Sequence, residues 1–369
     1  QDALTNLREK GTPISPDERT AALAVALLHD VGHGAFSHTL EHELIDDFAH
    51  EDMSRVLLVR LNERLEGALD TALAMFDDTY PRPFFHQLVS SQLDMDRLDY
   101  LRRDSFYTGV AEGEVGVQRL LKTMRVHPLQ GGPASEVMIE AKGIYAVENF
   151  LISRRLMYWQ VYLHKTVLAG DELLRGVLRR VQEHLDAGPP PDWLARGSRA
   201  LLFFLRHDIR ADQIDEPTVR DHYVQLDDTD ILFSLKQWMH GPDPLLADLC
   251  RRFVNRRFLR VTFVPRSPNA AQMEQWRAQV ANWLVAEGLV ARTEASAAAR
   301  HYLTANVSRQ TAYDSDQELI GILGRDGTVQ ELSEMADTAT ISELTGFVEK
   351  PYVCAPKPVS LDLSLVPGP

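Results

Sequence analysis

The sequence predicts a mainly α fold, a helical core followed by a smaller C-terminal α+β domain, and three observations predict it. Apolar residues recur at helical spacing through most of residues 1–245. After His240-Gly241-Pro242-Asp243-Pro244 the pattern changes to short β-branched and aromatic runs bounded by turn residues. The length, 369 residues, suits two domains at roughly 150 residues each. The expected division is therefore a helical domain over 1–245 and a smaller α+β domain over 246–369.

Ala3, Leu4 and Leu7 open the chain at helical spacing. Asp17 is placed to cap a helix through the apolar run 21–28 that ends near Gly32. Apolar on every side, that helix is expected to be central and buried. Residues 84–106 carry Val89, Leu93, Leu98 and Leu101 in helical register. The proline-free stretch 143–185 reads as helix, with a break expected at Gly170. Residues 128–133 and 188–191, rich in glycine and proline, read as loops. In the second part, 258–263 is an expected strand, and 270–287 an amphipathic helix turning Met273, Trp276, Val280 and Trp283 inward. Residues 302–313 suggest another strand, and 318–323 with 328–332 a hairpin across Gly324-Arg325-Asp326-Gly327.

Composition narrows the function. The longest apolar run is too short to span a bilayer, and no charged-then-apolar leader opens the chain. Two cysteines, Cys250 and Cys354, make neither a disulfide framework nor a thiolate zinc site. These features lead to an expectation of a cytoplasmic protein without a membrane partner. With 39 basic and 53 acidic residues the net charge is −14, which argues against coating nucleic acid. A small anionic substrate in a locally positive pocket stays open.

Three clusters carry chemistry. His29-Asp30-Val31-Gly32-His33-Gly34-Ala35-Phe36-Ser37-His38 places three histidines and an aspartate at the end of the apolar helix. Burying that many ionisable groups is costly unless they pair or hold a metal, and adjacent imidazole and carboxylate suit one cation. The alternative is a histidine-rich helix end satisfied by backbone carbonyls. His50-Glu51 sets an imidazole beside a carboxylate, suited to acid–base work, though such pairs also decorate solvated surfaces. Asp94-Met95-Asp96-Arg97-Leu98-Asp99-Tyr100-Leu101-Arg102-Arg103-Asp104 lines Asp96, Tyr100 and Asp104 along one helix stripe with Arg97 beside it. That row suits a metal, phosphates and a sugar, or else a charged face laced with ion pairs. The arginines at 251, 252, 256, 257 and 260 read either as a site for a regulatory nucleotide or single-stranded nucleic acid, or as partners for the surplus acids.

The first cluster, with the distant Asp96, resembles the HD-domain metal-dependent phosphohydrolases, and more closely their deoxynucleoside triphosphate triphosphohydrolase branch. The 29–38 signature, the 94–104 run, and Arg154-Arg155-Leu156-Met157-Tyr158 through His164-Lys165 carry the resemblance, which covers about residues 1–265. Leu226-Asp227-Asp228-Thr229-Asp230-Ile231 belongs to it too. The resemblance implies metal ligation by His29, Asp30 and Asp96, and roles for His33, His50 and Glu51 at the reacting phosphate and leaving group. It implies substrate contacts from His38, Arg97, Tyr100, Asp104, Tyr158 and Lys165. The family's first metal ligand is a histidine on a preceding helix; residues 1–28 contain none, and it is expected shortly before Gln1. A divalent metal follows as cofactor, among Mg, Mn, Fe, Zn, Ni and Co. The implied reaction is attack at the α-phosphate, with His50, oriented by Glu51, protonating the departing 5′-oxygen. A homo-oligomer, dimer or higher, is also implied, with Trp276, Trp283 and the arginines as interface material. Two rivals stand beside this reading: an HD phosphohydrolase for monophosphates or short oligonucleotides, and a degenerate scaffold that binds nucleotides without catalysis. A P-loop is missing, as is the Gly-Tyr-Pro motif of cyclic-dinucleotide phosphodiesterases.

Overall fold

The computed structural model of the chain describes residues 1–128, 135–311, 313, 319–335 and 346–363, the side chains of His38 and His42 excepted. Among the described residues seventeen α-helices and seven short strands build a mainly α fold with two small sheets. No helix among them is long and apolar enough to cross a membrane. Two compact units result, each made of three chain segments. One takes 1–32, 54–162 and 309–348; the other takes 33–53, 163–308 and 349–369. None of the five boundaries between them falls at residue 245, where composition changes. A shift in local pattern marks a change of element, whereas a compact unit is set by long-range packing.

In the first unit, Ser15 rather than Asp17 caps the helix Pro16–Leu28. The Ser15 hydroxyl accepts the Glu18 N–H at 3.1 Å, and the Glu18 carboxylate accepts the Ser15 N–H at 2.8 Å. The helix buries Ala21, Ala22 and Val25 and packs on the helix Asp70–Phe76, but Leu27 is 81% exposed. Burial on all sides is thus overturned: the small alanines make the packed side. The 84–106 segment is two helices, Phe84–Gln87 and Met95–Thr108. Between them the Asp94 carboxylate accepts the N–H of Ser91 and of Arg97, stopping one helix and starting the next.

A four-stranded sheet in this unit interrupts the almost entirely helical run expected for 1–245. Met124–Pro128 and Ser135–Glu140 form an antiparallel hairpin, with Met124 opposite Ile139. Ser135–Glu140 then pairs in parallel with Gly321–Leu323, which pairs antiparallel with Val329–Glu331 as the later hairpin pattern predicts. The helix Ile144–Met157 widens into a π-helical turn at Tyr158–Tyr162.

The second unit is organised on the helix Lys165–Asp186, which buries Leu168, Leu173, Leu174, Val177, Leu178 and Val181. It runs unbroken through Gly170; the break lies just before it, where the His164 ring accepts the Thr166 N–H. The helices Arg199–Arg206 and Pro244–Val254 pack on it. A three-stranded sheet places Val348–Ala355 between Arg260–Phe263 and Thr304–Gln310, which fall inside the two expected strands. The helix Ala270–Ala286 buries Trp276, Val280, Ala281 and Leu284, while Met273 and Trp283 are only half-buried. Both cysteines are buried free thiols.

Candidate active site

His29 caps the C-terminal end of the helix Pro16–Leu28, and this fixes its ring. Its Nδ1 lies 3.1 Å from the Ala26 carbonyl one turn back, a bond in which Nδ1–H donates. That leaves the Nε2 lone pair facing acid: 3.4 Å from Asp30 Oδ1 and 3.8 Å from Asp96 Oδ1. One atom from each of the three residues lies within 4.8 Å of the others. Asp96 comes from the first turn of Met95–Thr108, and the Gly32 N–H anchors the chain after Asp30 on the Ser54 hydroxyl at 2.9 Å. Burial, then the neighbouring Asp30 charge, pushes the Asp96 carboxyl above its usual range. Two carboxylates crowded against an imidazole lone pair repel each other, and a cation between them relieves that repulsion. The nitrogen and two oxygens fit a divalent ion of the borderline or hard class.

The second unit holds the residues expected to do acid–base work, His33, His50 and Glu51. His33 and His50 stack with ring centroids 3.7 Å apart. The Ser37 hydroxyl lies 2.8 Å from His33 Nδ1. His50 starts the helix His50–Arg64, and the half-buried Glu41 carboxylate accepts its backbone N–H at 2.7 Å while lying 3.1 Å from its Nδ1. A carboxylate at a helix N-terminus is favoured by the backbone dipoles there, so Glu41 caps the helix and holds the ring at once. Glu51, the expected orienting residue, is 61% exposed and lies 3.4 Å from Nε2. Glu41 thus contacts the ring beside Glu51; sequence reading missed it, and its one signal was its place one turn after Ser37 on the helix Ser37–Leu44. The His38 backbone belongs to that helix, and its side chain lies outside the described residues.

The stripe Asp96, Tyr100, Asp104 is realised on Met95–Thr108, and the π-helical turn adds to it. The Tyr162 hydroxyl donates to Asp104 at 2.6 Å. Tyr162 stands edge-on to Tyr100 at 5.9 Å and to Tyr158 at 5.2 Å. Burial raises the Tyr100 phenol; burial, then the bond to Asp104, raises Tyr162. Both remain neutral hydroxyls at any working pH. Arg154, 8% exposed, sits over the Tyr158 ring at 5.8 Å and donates to Gln92 at 3.4 Å. Tyr162 and Arg154 are thus further site residues; the wider π turn, which sets Tyr158 and Tyr162 on the cluster, is invisible to helical periodicity. Arg97 is tied to its own helix start, 3.5 Å from Asp94 and donating to the Ser91 carbonyl. Lys165 is exposed in the second unit, over the Phe263 ring at 5.4 Å. Of the arginine run, Arg252 pairs with Asp248 at 2.5 Å, and Arg251 and Arg260 donate to carbonyls of Met239 and Lys357.

A helix-end His-Asp pair joined by a distant aspartate, on a mainly helical fold, defines an HD-domain phosphohydrolase. Comparison with known proteins agrees. Residues 115–190 match the family described as the HD associated region. The uncharacterized protein YwfO of Bacillus subtilis is 32% identical over 354 residues, covering 91% of this chain and 73% of YwfO. The crystal structure of a phosphohydrolase from Bacteroides thetaiotaomicron superposes with a TM-score of 0.86 at 39% identity, over 96% of this chain and 84% of that one. The deoxynucleoside triphosphate triphosphohydrolase SAMHD1 homolog of Dictyostelium discoideum is 28% identical over 170 residues, 41% of this chain and 32% of its own length. The chain belongs to the HD-domain phosphohydrolases and is a hydrolase of the HD type.

Proposed function

We propose that this hydrolase acts on deoxynucleoside triphosphates and releases the deoxynucleoside and intact tripolyphosphate. The observation that carries the reading is the Tyr162–Asp104 bond beside Tyr100. It lies on the helix that carries Asp96, and each step from Asp96 to Tyr100 to Asp104 rises about 6 Å. A nucleotide laid along that helix has phosphates at Asp96, the 3′-hydroxyl at Asp104, and tyrosine rings against the sugar edge. A ring packed on C2′ leaves no room for a ribose hydroxyl.

His29, Asp30 and Asp96 would hold the divalent ion, which supplies a water of lowered pKa and offsets charge at the phosphoryl group. In this reading water adds to the α-phosphorus as the bond to the 5′-oxygen breaks, and His50 is the residue that would give that oxygen its proton. Glu41 keeps the ring oriented and stabilises its charge. In the same reading His33, His38, Arg97 and Lys165 serve the phosphates and Tyr158 the base. Assembly as a homo-oligomer and a cytoplasmic setting belong to this proposal, as does a regulatory nucleotide.

The test is a screen of the four deoxynucleoside triphosphates and their ribose counterparts with each of Mg, Mn, Fe, Zn, Ni and Co, the products resolved by phosphorus NMR. Tripolyphosphate and free deoxynucleoside are expected. Stepwise phosphate release, pyrophosphate, or equal turnover of ribonucleotides overturns the reading.

A further inference from the structure

Tyr223 and the Leu226-Asp227-Asp228 run take no part in the chemistry above, yet both reach the turn that carries His33. We propose that the segment from Tyr223 to Asp228 is a clamp that positions His33, so that Asp228 and Tyr223 are positioning residues for the hydrolysis; the inference rests on the function proposed above.

The turn needs a clamp. Phe36 and Ser37 are consecutive non-glycine residues in the left-handed region, with φ of 49° and 35°, a conformation that side chains with a Cβ disfavour. Ser37 is the residue whose hydroxyl meets His33 Nδ1 at 2.8 Å, so the path of the turn sets the imidazole. On one side Asp228, the first residue of the helix Asp228–Trp238, accepts the Phe36 N–H at 2.7 Å across 192 positions of chain. On the other side stands Tyr223, buried and wedged edge-on against Phe48 at 5.7 Å and Phe204 at 6.2 Å. A Cβ added to Gly34 would come 2.8 Å from its hydroxyl and 3.2 Å from the ring carbon bearing it. The turn therefore presses on Tyr223, and glycine at 34 is what allows it. Glu41, the holder of His50, adds to burial in raising the Tyr223 phenol, which places Tyr223 close to the acid–base pair as well.

The experiment compares Asp228→Ala with Asp228→Asn, which keeps an oxygen acceptor. Asp228 is at the surface, so a partial loss is expected: Asp228→Ala lowers kcat about tenfold, leaves KM within about twofold, and speeds hydrogen exchange at the Phe36 amide. Asp228→Asn restores both kcat and protection. Wild-type kcat in Asp228→Ala, or a loss that Asp228→Asn does not restore, overturns the clamp. The exchange measurement needs no substrate, so it tests the clamp even where the substrate assignment fails. If Asp228→Ala does not fold, Gly34→Ala decides: it should lose protection at Phe36, and Tyr223→Phe in the same chain should recover part of it. No recovery there overturns the proposal.

Discussion

Replacing Glu41 by Gln removes one charge from the pair that orients His50 and little else. The amide oxygen can still accept the His50 backbone N–H, now at 2.7 Å, so the start of the helix His50–Arg64 is kept. What is lost is the ionic part of the contact to Nδ1, now at 3.1 Å. A hydrogen bond to a charged group contributes about 1.5–3 kcal/mol and a neutral one about 0.5–1.5 kcal/mol. The difference, about 1–1.5 kcal/mol, is about a five- to twelve-fold fall in kcat at about 1.4 kcal/mol per decade. Glu41→Ala loses the backbone bond too and should fall about 100-fold. Glu51→Gln, at an exposed carboxylate 3.4 Å from the ring, should cost less than Glu41→Gln. The assay is the initial rate of tripolyphosphate release across substrate concentrations, with KM expected to hold. A Glu41→Gln enzyme within twofold of wild type in kcat, or one weaker only in KM, refutes the assignment of Glu41 as the residue that orients the acid.

Asp30→Ala should abolish hydrolysis and leave the helical circular dichroism in place, because a divalent site loses charge balance and geometry with its carboxylate; manganese binding by calorimetry should vanish in parallel, and tight binding that survives sinks the metal assignment. Tyr162→Phe removes the hydroxyl on Asp104 and should raise KM for a deoxynucleotide about tenfold with kcat little changed, whereas Tyr162→Ala should also narrow the preference over the ribose twin; ratios of kcat/KM for both substrates decide it. Burial pushes the His301 imidazole from 6.5 down to about 4, against the opposing charge of Glu183. Between those values the unfolded chain binds a proton that the folded chain does not, so this contribution is full above pH 6.5 and is lost as pH falls toward 4. Urea unfolding at stepped pH should show a shallower acid slope in His301→Gln than in wild type, and equal slopes count against it.

The candidate metal set came from the resemblance, not from periodicity alone, and His29, Asp30 and Asp96 do lie within 4.8 Å of one another. The same periodicity placed Asp104 two turns beyond Asp96. It could not find Glu41, because a carboxylate that caps a helix nine residues later leaves no mark of its own. Tyr162 escaped for a different reason: a π turn inside a continuous apolar pattern looks like more α-helix. The antiparallel pair Met124–Pro128 and Ser135–Glu140 was hidden because its strands are short and carry charged residues among the apolar ones. Leu27 shows a further limit, since a helix apolar on every side gives no clue to which side meets the protein.

Both compact units are closed by the last quarter of the chain: residues 309–348 complete one, and 349–369 complete the other. During synthesis, then, the ribosome must pass residue 308 before the strands Gly321–Leu323 and Val329–Glu331 can dock on Ser135–Glu140, and later still before Val348–Ala355 can fill the middle of its sheet. Pairings across such separations in sequence are slow to close. The histidines and aspartates of the candidate site all precede residue 105, but the units that hold them need segments beyond 308, and a stop at 308 would leave both unfinished together.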